Sequence, residues 1–157
     1  MAIHRLHIDD FEEIDYELIA IHTSLEDYRV AYFLNQQLPI LLSRSKAEIQ
    51  ISNKQGTTSF SRFIYEDSDS DSFWSLIQNR NVISSSDDES ADLFLNMQFA
   101  ANVYLLPELK KADYFLKIEN SDTSVEAIIE ELQSIKQIAA LYSVDISKLK
   151  NKNNLIF

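Results

Sequence analysis

The sequence predicts an α+β fold: a mostly antiparallel sheet covered on one face by two main helices, a sandwich related to the ferredoxin-like folds. Three observations lead there. Short runs rich in isoleucine, leucine and aromatic residues alternate with polar turns along most of the chain. Two stretches with helical spacing, Leu25 to Leu38 and Val125 to Ile135, each follow a capping-box pattern. The order strand, helix, strand occurs twice, over 16–52 and 113–144. With 157 residues and no Pro- or Gly-rich linker, the chain reads as a single domain, 1–157.

Taken in order, residues 3–8 (IHRLHI) predict a short strand, followed by an acidic connector. Tyr16 to Ser24 is apolar and isoleucine-rich at the length of a buried strand. Thr23-Ser24-Leu25-Glu26 then predicts a helix start, with Leu25, Tyr28, Ala31, Tyr32, Leu34 and Leu38 on the buried face and Pro39 as the stop. Ala47 to Ser52 predicts a strand, and the only glycine, Gly56, predicts a hairpin turn needing positive φ. Thr58 to Tyr65 and Phe73 to Val82 read as two long strands, separated by one acidic mobile loop, 66–72, and followed by another, 84–90. Residues 91–105 fit both helical and alternating spacing, with a strand favoured for the last part. Pro107 suits the first position of a short helix, where a missing donor costs nothing, and Glu108 suits its positive end. Tyr114 to Ile118 is a strand, Thr123-Ser124-Val125-Glu126 opens the second helix, and Gln137 to Val144 returns as a strand. The short crossover makes the last two strands parallel.

Residues 103–120, VYLLPELKKADYFLKIEN, are the most structured passage. Within it, LPELKKADY resembles the signature of the uncharacterised bacterial IPExxxVDY family: Pro107, Glu108, Asp113 and Tyr114 match, while Leu106 and Ala112 replace isoleucine and valine. The resemblance extends through DYELIAI, DYRVAYFLN and KLKNKNNLIF, but it implies no activity, because the family is named for its motif alone.

Composition excludes several chemistries. One glycine cannot build a dinucleotide fingerprint, a P-loop or a nucleophile elbow, and the absence of cysteine removes thiolate sites and disulfides. A formal charge of −11 repels phosphate backbones and anionic lipids, so neither nucleic acid nor membrane is expected as a partner. Lys148, Lys150 and Lys152 read as a solvated basic tail. Without a signal-peptide pattern or an apolar run of about 20 residues, a cytoplasmic protein is expected. DSDSDS at 67–72 starts like a calcium loop but has Ser72 and Gln78 where glycine and glutamate belong. His4 and His7 point to opposite faces of a strand, and His22 has no triad partners in sequence, so no metal, cofactor or catalytic residue is assigned.

The candidate positions are Pro107, Glu108, Asp113 and Tyr114 of the signature and Phe157, which docks with Leu155 and Ile156 on the sheet or on a partner. Two readings follow. The first is a non-enzymatic protein-interaction or regulatory module using a sheet edge, the signature helix or the apolar C-terminal stretch. The second is a small-molecule sensor or enzyme using Glu108, Asp113 and Tyr114, with paired carboxylates converging at the ends of the short helix.

Overall fold

A computed structural model describes residues 15–53, 56–82 and 102–157. The expected strand over 3–8 and the loop over 84–90 lie outside these residues. So do His4, His7 and the ambiguous stretch up to 101.

The fold is α+β. Its main sheet has the strands β1 (Tyr16–Thr23), β2 (Ser43–Arg44), β5 (Arg62–Asp67), β6 (Ser72–Gln78), β9 (Tyr114–Glu119) and β10 (Ile138–Ser143), in the order β10-β1-β9-β6-β5-β2. Every neighbouring pair is antiparallel. Helix α1 (Asp27–Gln37) follows β1, and α2 (Val125–Leu132) joins β9 to β10. The subset β10-β1-β9-β6 with its two helices has the strand order of a ferredoxin-like split βαβ, extended at one side by β5 and β2. Because β1 is antiparallel to both β9 and β10, those two strands are parallel to each other, as their crossover requires, with β1 between them.

Alternation along each strand sorts the core into two layers. Ile19, Ile21, Trp74, Leu76, Leu116 and Ile118 face the helices and pack on Val30, Leu34, Ile128 and Leu132. Leu18, Ala20, Ile77 and Phe115 face the other way, under Leu105, Leu106, Ile146, Leu149, Leu155 and the hairpin residues Ile49 and Phe60. That hairpin is β3 (Ile49–Asn53) with β4 (Gly56–Phe60), where Gly56 has the expected positive φ, 140°.

Five expectations about the elements need correction. The helix after β1 begins at Asp27, with Glu26 at its cap position, because Thr23 is held in the sheet opposite Ile138. The buried side of α1 is Val30, Ala31 and Leu34, continued by Leu38, whereas Tyr28 (58% exposed) and Tyr32 (57%) point to solvent. Helical geometry puts Val30, Leu34 and Leu38 on one stripe and the tyrosines, one turn apart, off it. The two long strands are each broken: β4 gives way to β5 at Ser61, and β6 gives way to β7 (Arg80–Val82) at Asn79, where both chains leave one sheet for another. Strand β7 pairs instead with β8 (Asn102–Tyr104). The acidic loop 66–72 is a tight turn over 68–71, with Glu66 and Asp67 inside β5 and Ser72 inside β6. Asp67 accepts from the Asp69 amide at 3.0 Å and the Ser70 hydroxyl at 2.8 Å, so its carboxylate closes the turn, and Asp71 takes φ 54°.

The second capping pattern is used one residue later than its first threonine: Ser124 Oγ accepts from the Ala127 amide at 3.3 Å.

Candidate functional site

The signature stretch turns the corner between β8 and β9. Pro107–Leu109 is a single 3₁₀ turn with proline at its start, as its missing N–H allows. So short a turn leaves its flanking backbone groups without helical partners, and Leu105, Leu106 and Ala112 are buried. The partner for those groups is Asn79, fully buried at the break between β6 and β7. Its Nδ2 donates to the carbonyls of Leu109 (3.0 Å) and Ala112 (2.7 Å), and its Oδ1 accepts from the Leu106 amide at 2.9 Å. Its backbone accepts from the Leu105 amide at 2.7 Å and donates to the Asp113 carbonyl at 3.0 Å. One asparagine therefore pairs most of the corner.

Glu108 and Asp113 do not converge. The Glu108 carboxylate accepts from the Asn151 backbone amide at 2.9 Å and from Asn151 Nδ2 at 2.7 Å, tying the corner to the C-terminal segment. Burial pushes this carboxyl up, but the Asn151 donors outweigh it and hold it below the usual carboxylate range. Asp113 reaches the other way. Its Oδ2 accepts from the Thr23 amide at 2.9 Å, and its Oδ1 lies 3.9 Å from Arg80. Thr23 in turn donates its hydroxyl to the Gln137 carbonyl at 2.8 Å, so Asp113 fixes the end of β1 beside the start of β10. The Tyr114 hydroxyl donates to the Leu25 carbonyl at 2.7 Å, and burial, with Asp27 and Asp113 nearby, pushes it well above its ordinary value of 10.0. It is a fixed donor, not a base at neutral pH.

Asp113, Tyr114 and Arg80 border a cleft of about 90 Å³. That is well under the roughly 300 Å³ at which small-molecule pockets begin. A larger cleft of about 320 Å³ lies at Asp15, Glu17, Asn120 and Asp122, and none of Pro107, Glu108, Asp113 and Tyr114 lines it. Among the described residues, no three His, Asp or Glu side chains group as metal ligands. No helix among them is long and apolar enough to cross a membrane.

Phe157 docks on the sheet face opposite the helices. Its ring centre lies 4.3 Å from the Arg62 guanidinium carbon and 4.7 Å from Lys117 Nζ, and the same nitrogen is 4.7 Å from the Tyr16 ring. Lys117 is buried, donates to the Leu155 carbonyl at 2.8 Å and lies 3.8 Å from Glu119. Loss of hydration lowers its pKa, helped by Arg62 and opposed by Glu119. The expected docking of Leu155 and Phe157 is thus intramolecular, while Ile156 stays 62% exposed.

Compared with known proteins, the chain matches no family model and none of the curated sequences. The roles of its residues rest on their geometry. Sequence reasoning passed over Asn79 and Asn151 and gave Thr23 a helix-capping role in place of its tie to Asp113 and Gln137. Nothing local marks Asn79, which sits among Gln78, Arg80 and Asn81 at the end of SFWSLIQNRNV.

Among the described residues, the sheet's two outer strands differ. Strand β2 is two residues long, and its Arg44 is held by Glu48 at 2.9 Å and lies 3.7 Å from Asp27. Strand β10 is six residues, IAALYS, without charge, proline or glycine. The Val144 amide donates inward to the Leu18 carbonyl at 2.8 Å. Antiparallel alternation then turns the backbone groups of Tyr142 inward and those of Leu141 and Ser143 outward. Ile138 and Leu141 pack on the helix-side core, while Ala140 and Tyr142 are exposed on the other face, where Tyr142 Oη meets His22 Nε2 at 2.9 Å.

Proposed function

We propose that this domain is a non-enzymatic protein-interaction module that takes its partner by strand addition along β10. The observation that carries the reading is the six-residue uncharged outer strand with outward Leu141 and Ser143 backbone groups, which no strand among the described residues pairs. Edges of this kind are templates for a further strand, and folds that avoid pairing shorten or charge them, as β2 is shortened. The signature supports the reading by elimination: Glu108, Asp113 and Tyr114 are committed to hydrogen bonds within the chain, so the sensor or enzyme alternative lacks free groups there. Membership of the IPExxxVDY family is part of the proposal, and the signature's role in it is architectural. A cytoplasmic location accords with the lack of cysteine.

Capture from native lysate tests this with three folded baits. Wild type and Glu108→Ala should retain the same stoichiometric protein, and Ser143→Pro should lose it, because proline removes an outward amide without breaking a bond to β1. Equal retention by Ser143→Pro would sink the edge-binding reading.

A further inference from the structure

The occupant of that edge follows from its own residues, and the inference rests on the edge-binding reading just given. We infer that β10 pairs antiparallel with β10 of a second copy, about a twofold axis at Leu141.

Outward-facing backbone groups must meet outward-facing groups, which restricts the register to alternate positions. Centring on Leu141 uses the whole strand, and Leu141 then faces Leu141 of the second copy. Ala140 falls opposite Tyr142 of the second copy on the exposed face, a small residue beside a large one at each of two symmetric places. The ends are complementary as well. The stretch 136–145, KQIAALYSVD, has one charge at each end, Lys136 and Asp145; both are exposed, and Asp145 also accepts from Ser147 and lies 3.7 Å from Lys148 of its own chain. Antiparallel pairing brings Lys136 of one copy to the end that holds Asp145 of the other, twice over by symmetry. On a chain of charge −11, this stretch of zero net charge adds no repulsion of its own between two copies. The contact is a single strand pair with its flanking side chains, below the roughly 1,200 Å² of stable specific interfaces, so a micromolar, reversible dimer is expected.

Sedimentation equilibrium of the full chain from about 5 to 500 µM, combined with amide exchange at both extremes, spans the range expected for so small an interface. The expected result is a concentration-dependent dimer in which the Leu141 and Ser143 amides gain protection as it forms. Both Ser143→Pro and Ala140→Lys, the latter placing a charge against Tyr142 of the second copy, should weaken it by about tenfold or more with the fold intact. A monomer throughout, with both amides exchanging freely, overturns the second copy but leaves an open edge for another strand. A monomer with both amides protected at every concentration means that the chain covers its own edge, which overturns this inference and the edge-binding reading together. A dimer undiminished in both variants overturns this inference, because the association then uses another surface, and leaves the edge-binding reading to the lysate test.

Discussion

The two faces of the main sheet are covered by different means. On one, α1 and α2 lay apolar stripes over Ile19, Ile21, Leu116 and Ile118. On the other, Leu18, Ala20, Ile77 and Phe115 are roofed mainly by irregular segments around Leu105, Leu106, Ile146 and Leu155. A helix satisfies its own backbone and needs only a stripe. Irregular cover brings unpaired amides and carbonyls into the core, so it must be clamped by polar side chains. Those clamps are Asn79 on the signature corner, Glu108 on Asn151, Lys117 on the Leu155 carbonyl and Asn154 Nδ2 on the Leu105 carbonyl at 2.8 Å. The signature's Glu108 thus serves the face that lacks helices.

The largest test of this contrast sets one clamp against one helix-face side chain. Asn79→Leu removes three side-chain hydrogen bonds and leaves the buried Leu106 amide and Ala112 carbonyl unpaired, while the Leu109 carbonyl keeps the Ala112 amide; at about 1–3 kcal/mol for each unpaired group, a loss of about 2–6 kcal/mol is expected. Leu132→Ala, at a fully buried helix position, should cost about 2–5 kcal/mol through transfer and cavity terms. Urea denaturation of both measures the order. If Asn79→Leu proves the milder of the two, polar clamping does not secure the roof.

A smaller effect is expected from Phe157→Ala, which removes one ring from two cations and should cost about 1–2 kcal/mol. Amide exchange should show the loss concentrated in 152–156 with the helix face unchanged. Uniform loosening of the molecule would mean that the ring supports more than the roof.

The smallest is Glu108→Ala, about 1 kcal/mol at neutral pH because the group is solvent-exposed. Its sign with pH is fixed. The folded carboxyl titrates below its ordinary 4.5, so the unfolded chain binds the proton first, and the stabilisation is present above 4.5 and fades as pH falls through the depressed value. The difference in melting temperature between wild type and Glu108→Ala should therefore shrink on acidification below that point. A constant difference would assign the effect to something other than the Asn151 contact.

What the sequence made legible divides along the same line. The helix face was readable because it depends on local spacing: the helix beginning at Val125 and the strand-helix-strand order held. The tyrosines of α1 misled because Tyr28 and Tyr32 are as apolar in pattern as they are exposed in fact, and the helix start moved once Thr23 was drawn to Gln137, 114 positions away. The signature's location at a proline-led turn was legible, yet its partners were not. Asn151 is 43 positions from Glu108, and Thr23 is 90 from Asp113. No local pattern encodes such pairings. The long strands were misread at Ser61 and Asn79 for a related reason, since only the closed sheet shows that the ladder changes partners there.

The position of β1 has a consequence for synthesis. Both of its neighbours, β9 and β10, come from the last third of the chain, with Tyr16 opposite Glu119 and Ile19 opposite Ser143. The first described strand to leave the ribosome is thus among the last to find its place. YELIAIHT must wait, apolar and unpaired, while more than a hundred residues are added, and closing so long a loop is slow. Nascent chains arrested before β10 should be digested readily by protease, and resistance should appear only once Ser143 has cleared the exit tunnel. Until then this segment is available to any chaperone that recognises short apolar strands.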